Sequence, residues 1–236
     1  MSKVVITIDG KGILTESNKT VLEVAKEHNI FIPTLCNMPG IKPQGSCRIC
    51  TCMIDGRMMT ACTTPVTNNM RIVTKTEELD QLRAKIVELL FAEGNHFCPA
   101  CEKSGNCELQ ALAYYYKILA PEFDYLFPKR EVDATHPKLI IDHNRCILCK
   151  RCIRRKKEPE NPTWFVFKNR GNRVQINFDH ELTADMDDEL AQKAMDTCPV
   201  GAILRKEKGF DIPIGKRKYD KKPIGSNIEG KELCNE

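Results

Sequence analysis

Asn144-Arg145-Cys146-Ile147-Leu148-Cys149-Lys150-Arg151-Cys152 sets three cysteines at intervals of three, and the reading of the fold turns on this stretch. Two residues between thiols let successive sulfurs face one centre. C-x2-C-x2-C opens a run known to hold a 4Fe–4S cluster, whose full form is C-x2-C-x2-C-x3-C-P. Here the position four after Cys152 is Lys156, and the closing Cys-Pro lies far downstream at Cys198-Pro199. A second half-motif ending there would place its other cysteines where Asp188, Ala191 and Ala194 stand. One half of a doubled motif has therefore lost its donors, and the other keeps Cys146, Cys149, Cys152 and Cys198. Zinc sites pair two C-x2-C units rather than running three cysteines in step.

Working toward the N-terminus, His96-Phe97-Cys98-Pro99-Ala100-Cys101 is followed by Cys107. Three cysteines leave a cluster one donor short, and His96 could supply a neutral imidazole. Cys98, Cys101, Cys107 and His96 would also make a zinc site of three thiolates and one imidazole; the neighbouring groups favour iron–sulfur. Imidazole in place of thiolate removes one negative charge and raises the reduction potential. The first group reads Cys36-x10-Cys47-x2-Cys50-x11-Cys62. Plant-type 2Fe–2S sites use C-x4-C-x2-C with a distant fourth cysteine, so the pair is present and the first loop is longer. Gly45-Ser46 before Cys47 supplies flexible backbone whose N–H groups can reach sulfur. Cys52 falls in a strand and reads as a small buried hydrophobe. Cys234 stands alone and reads as a free thiol.

Thirteen cysteines in 236 residues would suit a disulfide framework only in a short secreted chain. The start, Met1-Ser2-Lys3-Val4-Val5-Ile6-Thr7-Ile8, alternates like a strand and carries no secretory signature. No run approaches the roughly 20 apolar residues of a membrane span. A cytoplasmic protein is expected, where clustered thiols mean metal or redox chemistry. A net charge of +4 does not suit nucleic-acid binding. The oxidised clusters would add about −5 and bring the loaded chain near −1. The basic run Lys150, Arg151, Arg154, Arg155, Lys156 and Lys157 reads equally as a solvated face or as compensation of cluster charge and docking of an acidic partner. No G-x-G-x-x-G follows a strand, Gly40-x4-Gly45 is followed by Ser46 rather than Lys, and no H-E-x-x-H occurs, so NAD and flavin are expected to bind elsewhere.

The elements predict an α+β chain. Residues 4–8, the turn Asp9-Gly10 and a strand near Ile13 form a hairpin. Thr20 with Glu23 makes a capping box for a helix to about Asn29. A second hairpin spans residues 51–61 around Asp55-Gly56, and residues 70–73 add a strand. Residues 1–77 thus form a β-grasp 2Fe–2S domain. Residues 78–137 are a helical 4Fe–4S domain built on one histidine and three cysteines. There Leu79, Leu82, Ile86, Leu89 and Leu90 recur at helix spacing, Gly94 is a C-terminal stop, a second helix runs over about 108–118, and residues 121–137 form a linker. Residues 138–205 form a ferredoxin-like 4Fe–4S domain with strands at 139–141, 164–167 and 174–178 and a helix over 187–195. Residues 206–236 form an irregular arm.

Several stretches carry a family resemblance: Glu93-Gly94-Asn95-His96-Phe97-Cys98-Pro99, Glu102-Lys103-Ser104-Gly105-Asn106-Cys107-Glu108-Leu109-Gln110, Asn144-Arg145-Cys146, Cys198-Pro199-Val200-Gly201-Ala202-Ile203 and Pro213-Ile214-Gly215. Over nearly its whole length the chain resembles the diaphorase small (gamma) subunit of soluble NAD-reducing NiFe-hydrogenases. More distantly it is similar to the N-terminal part of the large peripheral-arm subunit of respiratory complex I and to the accessory-cluster region of FeFe-hydrogenases. The complex I pattern places its histidine four residues before the first cysteine. Gly94 holds that position here, so His96 follows the hydrogenase-type variant and another donor stays open. The resemblance implies one 2Fe–2S and two 4Fe–4S clusters and an electron relay without a catalytic site of its own. Its partners would be a flavin-containing NAD(H)-binding subunit and the small and large subunits of a NiFe-hydrogenase, in an enzyme that couples H2 to NAD+. An NADH-dependent formate dehydrogenase, a complex I-like module and a zinc-stabilised scaffold are the alternatives.

Overall fold

The computed structural model describes residues 2–155 and 164–230; Lys156, Lys157 and Cys234, named above, lie outside the described residues. β1 (Lys3–Ile8) and β2 (Lys11–Glu16) form an antiparallel hairpin. Its turn holds Asp9 and Gly10 at φ 48° and 83°, the left-handed backbone that two-residue hairpin turns require. Thr20 caps α1 (Val21–Glu27). The Thr20 hydroxyl accepts from the Glu23 N–H, and the Glu23 carboxylate accepts from the Thr20 N–H at 2.7 Å. The helix stops short of the expected Asn29, which turns left-handed at φ 58°. β3 (Thr51–Ile54) and β4 (Arg57–Thr60) make the second hairpin around Asp55-Gly56. β5 (Arg71–Val73) joins the two, parallel to β1 and antiparallel to β3. The order β2-β1-β5-β3-β4 with α1 on one face is a β-grasp. Ile6, Ile8, Val21, Val24, Ala25, Ile54 and Ile72 fill its core.

α2 (Glu77–Glu93) starts at Thr76, whose hydroxyl accepts from the Leu79 N–H. Its buried face keeps part of the leucine stripe expected from spacing: Leu79 is fully buried and Ile86 and Leu90 pack against the core, but Leu89 is 49% exposed, while Arg83 and Glu88 are buried. Arg83 is buried because its Nη2 donates to the carbonyls of Thr51 (2.7 Å) and Thr74 (2.8 Å). The helix therefore meets the β-grasp sheet through a guanidinium, which a count of apolar residues does not register. α3 (Glu108–Tyr115) ends before the expected 118, with Lys117 at φ 56°.

Residues 121–137 are not wholly a linker, since they carry β6 (Val132–Asp133), which pairs antiparallel with β7 (Leu139–Asp142). α4 (Arg151–Arg154), the hairpin β8 (Phe165–Lys168) and β9 (Gln175–Phe178), the short α5 (His180–Thr183) and α6 (Asp188–Thr197) follow. β10 (Ile203–Arg205) then closes on β7. The arm runs back over the chain to the single turn α7 (Ser226–Glu229). On the way, the Tyr219 N–H donates to the Gly105 carbonyl, and a Cβ on Gly225 would stand 2.5 Å from the Phe31 ring.

One core unites what the sequence divides. Leu35 and Ile49 from the first cysteine loop pack with Val87, Leu109, Leu112, Leu139, Ile141, Phe165 and Phe178. Each such fully buried side chain contributes roughly 1.5–3 kcal/mol. Ala191 and Ala194, standing where a second half-motif would carry cysteines, are completely buried in this same core. Those vacated positions now serve packing. Among the described residues no helix is long and apolar enough to cross a membrane.

Candidate metal centres

The first group is assembled by the loop between α1 and β3 and by the turn after β4. Cys36, Cys50 and Cys62 are fully buried and Cys47 is partly so. Gly45 and Arg48 take positive φ (67° and 61°), which curls the loop so that its thiols face inward. The Cys36 thiol lies against those of Cys47 and Cys62, and these contacts, with the Cys47 N–H, hold it well below the usual thiol range. The same contact pushes Cys47 up, and Cys62 is raised by its contacts with Cys36 and Cys50. Four sulfurs this close resist sharing negative charge until a cation enters among them. Cys52, the second residue of β3, is also buried, but its thiol faces the Cys50 carbonyl (3.6 Å) and Arg83 (3.8 Å). It stands apart from the four.

His96, Cys98, Cys101 and Cys107 line one cavity together with Phe91, Leu109, Gln110 and Arg145. The His96 Nε2 is buried without a hydrogen-bond partner. Burial, then Arg145, lowers the His96 pKa to about 4, so the ring is neutral and offers a lone pair. Phe91 packs edge-on to it at 5.4 Å between centroids. The cavity is kept open by glycine. A Cβ on Gly94 would stand 2.3 Å from His96 Nε2, and one on Gly201 would stand 2.5 Å from Cys101 Sγ. α2 stops at Gly94 as expected; its φ of −98° needs no glycine, and what the missing side chain provides is room for His96. The Gln110 N–H donates to Cys107 Sγ (3.5 Å), and Arg145 Nη1 donates to Cys101 Sγ (3.6 Å) and Glu102 (3.0 Å).

Cys146, Cys149, Cys152 and Cys198 line a second cavity with Ile141, Ile147, Ile176, Val200 and Ile203. Leu148 and Lys150 take positive φ (48° and 61°), bending the three-cysteine run round the cavity. Cys198 is delivered by the C-terminal end of α6. Burial pushes Cys146 up to about 11 and Cys149 up to about 12. Such thiols ionise only when iron compensates the charge. The donors fit clusters: His96 offers a buried Nε2 without a hydrogen-bond partner in a glycine-cleared cavity, and in all three groups soft thiolate donors stand close together in buried surroundings. The donors of the second and third groups line cavities rather than meeting at one point.

Of the described members of the basic run, Arg151 is buried and Lys150, Arg154 and Arg155 are half-buried, so this part of the run is not simply a solvated face. Arg151 is 3% exposed and holds Glu108 by two bonds of 2.8 and 2.6 Å. Arg155 donates to Thr197 Oγ1 at 2.9 Å. Arg154 Nη2 donates to the carbonyls of both Cys36 and Cys149 (3.1 Å to the latter). Spacing alone could not show that these cations point inward between the cysteine loops.

Three family descriptions match the chain in order. They are a 2Fe-2S iron-sulfur cluster binding domain over residues 1–77, the iron-sulfur binding region of NADH-ubiquinone oxidoreductase-G over 83–121, and the ferredoxin-like domain of NADH-quinone oxidoreductase subunit 3 over 137–204. Fold and donor groups together define an iron–sulfur electron-transfer protein with domains of both 2Fe–2S and 4Fe–4S kinds. The NAD-reducing hydrogenase HoxS subunit gamma of Cupriavidus necator is 40% identical over 96% of this chain and 98% of its own length. The chain belongs to the family of that hydrogenase gamma subunit. The NADPH-Fe(3+) oxidoreductase subunit alpha of Geobacter sulfurreducens is 34% identical over 85% of this chain but only 24% of its own length. The crystal structure of an NAD+-reducing NiFe-hydrogenase in the H2-reduced state superposes a chain of 40% identity with a TM-score of 0.85, covering 94% of this chain and 95% of that one.

Proposed function

We propose that this chain is the electron-relay subunit of an NAD-reducing hydrogenase. It would carry electrons between a flavin-containing NAD(H)-binding subunit and the small and large subunits of a NiFe-hydrogenase, for H2 + NAD+ → NADH + H+. Cys36, Cys47, Cys50 and Cys62 hold a 2Fe–2S cluster. His96, Cys98, Cys101 and Cys107 hold one 4Fe–4S cluster, and Cys146, Cys149, Cys152 and Cys198 hold another. The clusters supply one-electron storage, while the chain holds them at fixed separations, shields them from water and sets their charge surroundings. The division into residues 1–77, 78–137, 138–205 and 206–236 follows these sites. The chain has no catalytic site of its own.

The observation that carries this reading is the inward network of arginines. Arg154 joins the first cysteine loop to the third. Arg145, next to Cys146, reaches Cys101, and Arg151, next to Cys152, holds Glu108 beside Cys107. The ties run from the first group to the third and from the third to the second, which supports a relay with Cys146, Cys149, Cys152 and Cys198 at its middle. A zinc scaffold has no need for such an ordered chain of sites.

The test uses the cluster-loaded chain and NADH. Alone, the chain should keep its visible absorption when NADH is added; with the flavin-containing subunit present, the absorption should bleach. Bleaching by NADH without that subunit would place a nicotinamide site in this chain and refute the division of labour.

A further inference from the structure

We infer that Arg154 is a positioning residue for electron transfer between the first and third clusters, an inference that rests on the relay reading above. Its guanidinium donates to four backbone carbonyls in two ligand loops. Nη2 serves Cys36 and Cys149, Nη1 serves Lys42, and Nε serves Lys150 at 3.2 Å. Two of the four carbonyls belong to cluster-ligating cysteines of different groups.

The chemistry of the side chain suits this task. Guanidinium presents five donors in a rigid planar fork and stays charged. An ammonium has three donors on a flexible stem and cannot hold four carbonyls spread over two loops. Arg154 is itself placed by α4, the short helix that also carries Cys152. The fork is therefore fixed to the third group at one end and clamps the first group's loop at the other.

Two consequences follow. The clamp fixes the separation of the two clusters, across which one electron passes, oxidising one cluster and reducing the other with no bond made or broken. The guanidinium charge, hydrogen-bonded to the carbonyls of Cys36 and Cys149, favours the reduced and more negative state of each cluster and raises both potentials. The His96 site lies beyond this clamp and provides an internal control.

Arg154→Lys keeps the charge and loses the fork; Arg154→Gln loses both. The loaded chain is reduced anaerobically, and electron paramagnetic resonance reads the spin–spin broadening between the 2Fe–2S and the third-group 4Fe–4S signals along with all midpoint potentials. In both variants the broadening should weaken. In Arg154→Gln alone, the potentials of these two clusters should fall together, with that of the His96 cluster unmoved. Should Arg154→Gln fail to hold its clusters, Arg154→Lys reads the separation by itself. Wild-type broadening in a loaded Arg154→Lys chain would overturn the inference, as would a loss of thermal stability with broadening and potentials unchanged. Absence of labile sulfide from the wild-type chain would instead sink the relay reading on which this rests.

Discussion

Gly94 and His96 compete for one place: a Cβ on residue 94 would stand 2.3 Å from the His96 Nε2. A side chain rising from position 94 would enter the space the imidazole fills. A histidine four residues before Cys98 and one two residues before it therefore address the same spot. Gly94→Ala should push the imidazole aside and alter the electron paramagnetic resonance signal of the His96 cluster while leaving the other two unchanged. His96→Cys should restore a fourth donor but add a negative charge, lowering that cluster's potential. Unchanged potential in a loaded His96→Cys chain would remove His96 from the ligand set.

The Arg151–Glu108 pair is buried at its arginine end, with side-chain exposures of 3% and 21%. Removing one partner strands the other in a low-dielectric core, at a cost of about 3–5 kcal/mol. Glu108→Ala should lower the thermal midpoint of the loaded chain markedly. Replacing both residues by apolar ones of similar volume should recover most of that loss, and a single variant as stable as wild type would contradict the assignment.

Cys52 is as buried as the ligands but faces a carbonyl and Arg83. Cys52→Ala should keep the 2Fe–2S signal and its intensity and cost roughly 1–2 kcal/mol through lost packing. Loss of the signal would make Cys52 a ligand in place of one of the four.

Burial pushes Cys107 and Cys149 up to about 12, so these thiols are protonated at neutral pH without iron. Ligation as thiolate must expel those protons. Below these raised pKa values each added unit of pH removes competing protons, so cluster reconstitution of the stripped chain should become more favourable from about pH 6.5 to about pH 8.5. Reconstitution yield independent of pH would show that the donors are already ionised.

Local signals were legible where a single residue type fixes the backbone. Asp9-Gly10 and Asp55-Gly56 announced their hairpins, and Thr20 with Glu23 announced α1, because positive φ and capping are properties of a few adjacent residues. Cysteine spacing and resemblance point to the twelve donors. The structure brings His96, Cys98, Cys101 and Cys107 to one cavity and Cys146, Cys149, Cys152 and Cys198 to another, with Cys36, Cys47, Cys50 and Cys62 in mutual contact. Contacts distant in sequence were not legible. Arg83 reads as a polar interruption of a leucine stripe, yet its carbonyl partners lie 32 and 9 residues away. Arg154 reads as one cation in a basic run, yet it holds a carbonyl 118 residues upstream. Guanidinium groups satisfied by backbone carbonyls leave no periodic trace, and the ties between modules are made of them.

The most direct test is chemical analysis of the chain isolated without exposure to oxygen. One two-iron and two four-iron clusters require about ten iron atoms and about ten acid-labile sulfides per chain, with visible absorption that dithionite bleaches. Stoichiometric zinc with no labile sulfide, in a colourless protein, would contradict the account at its root.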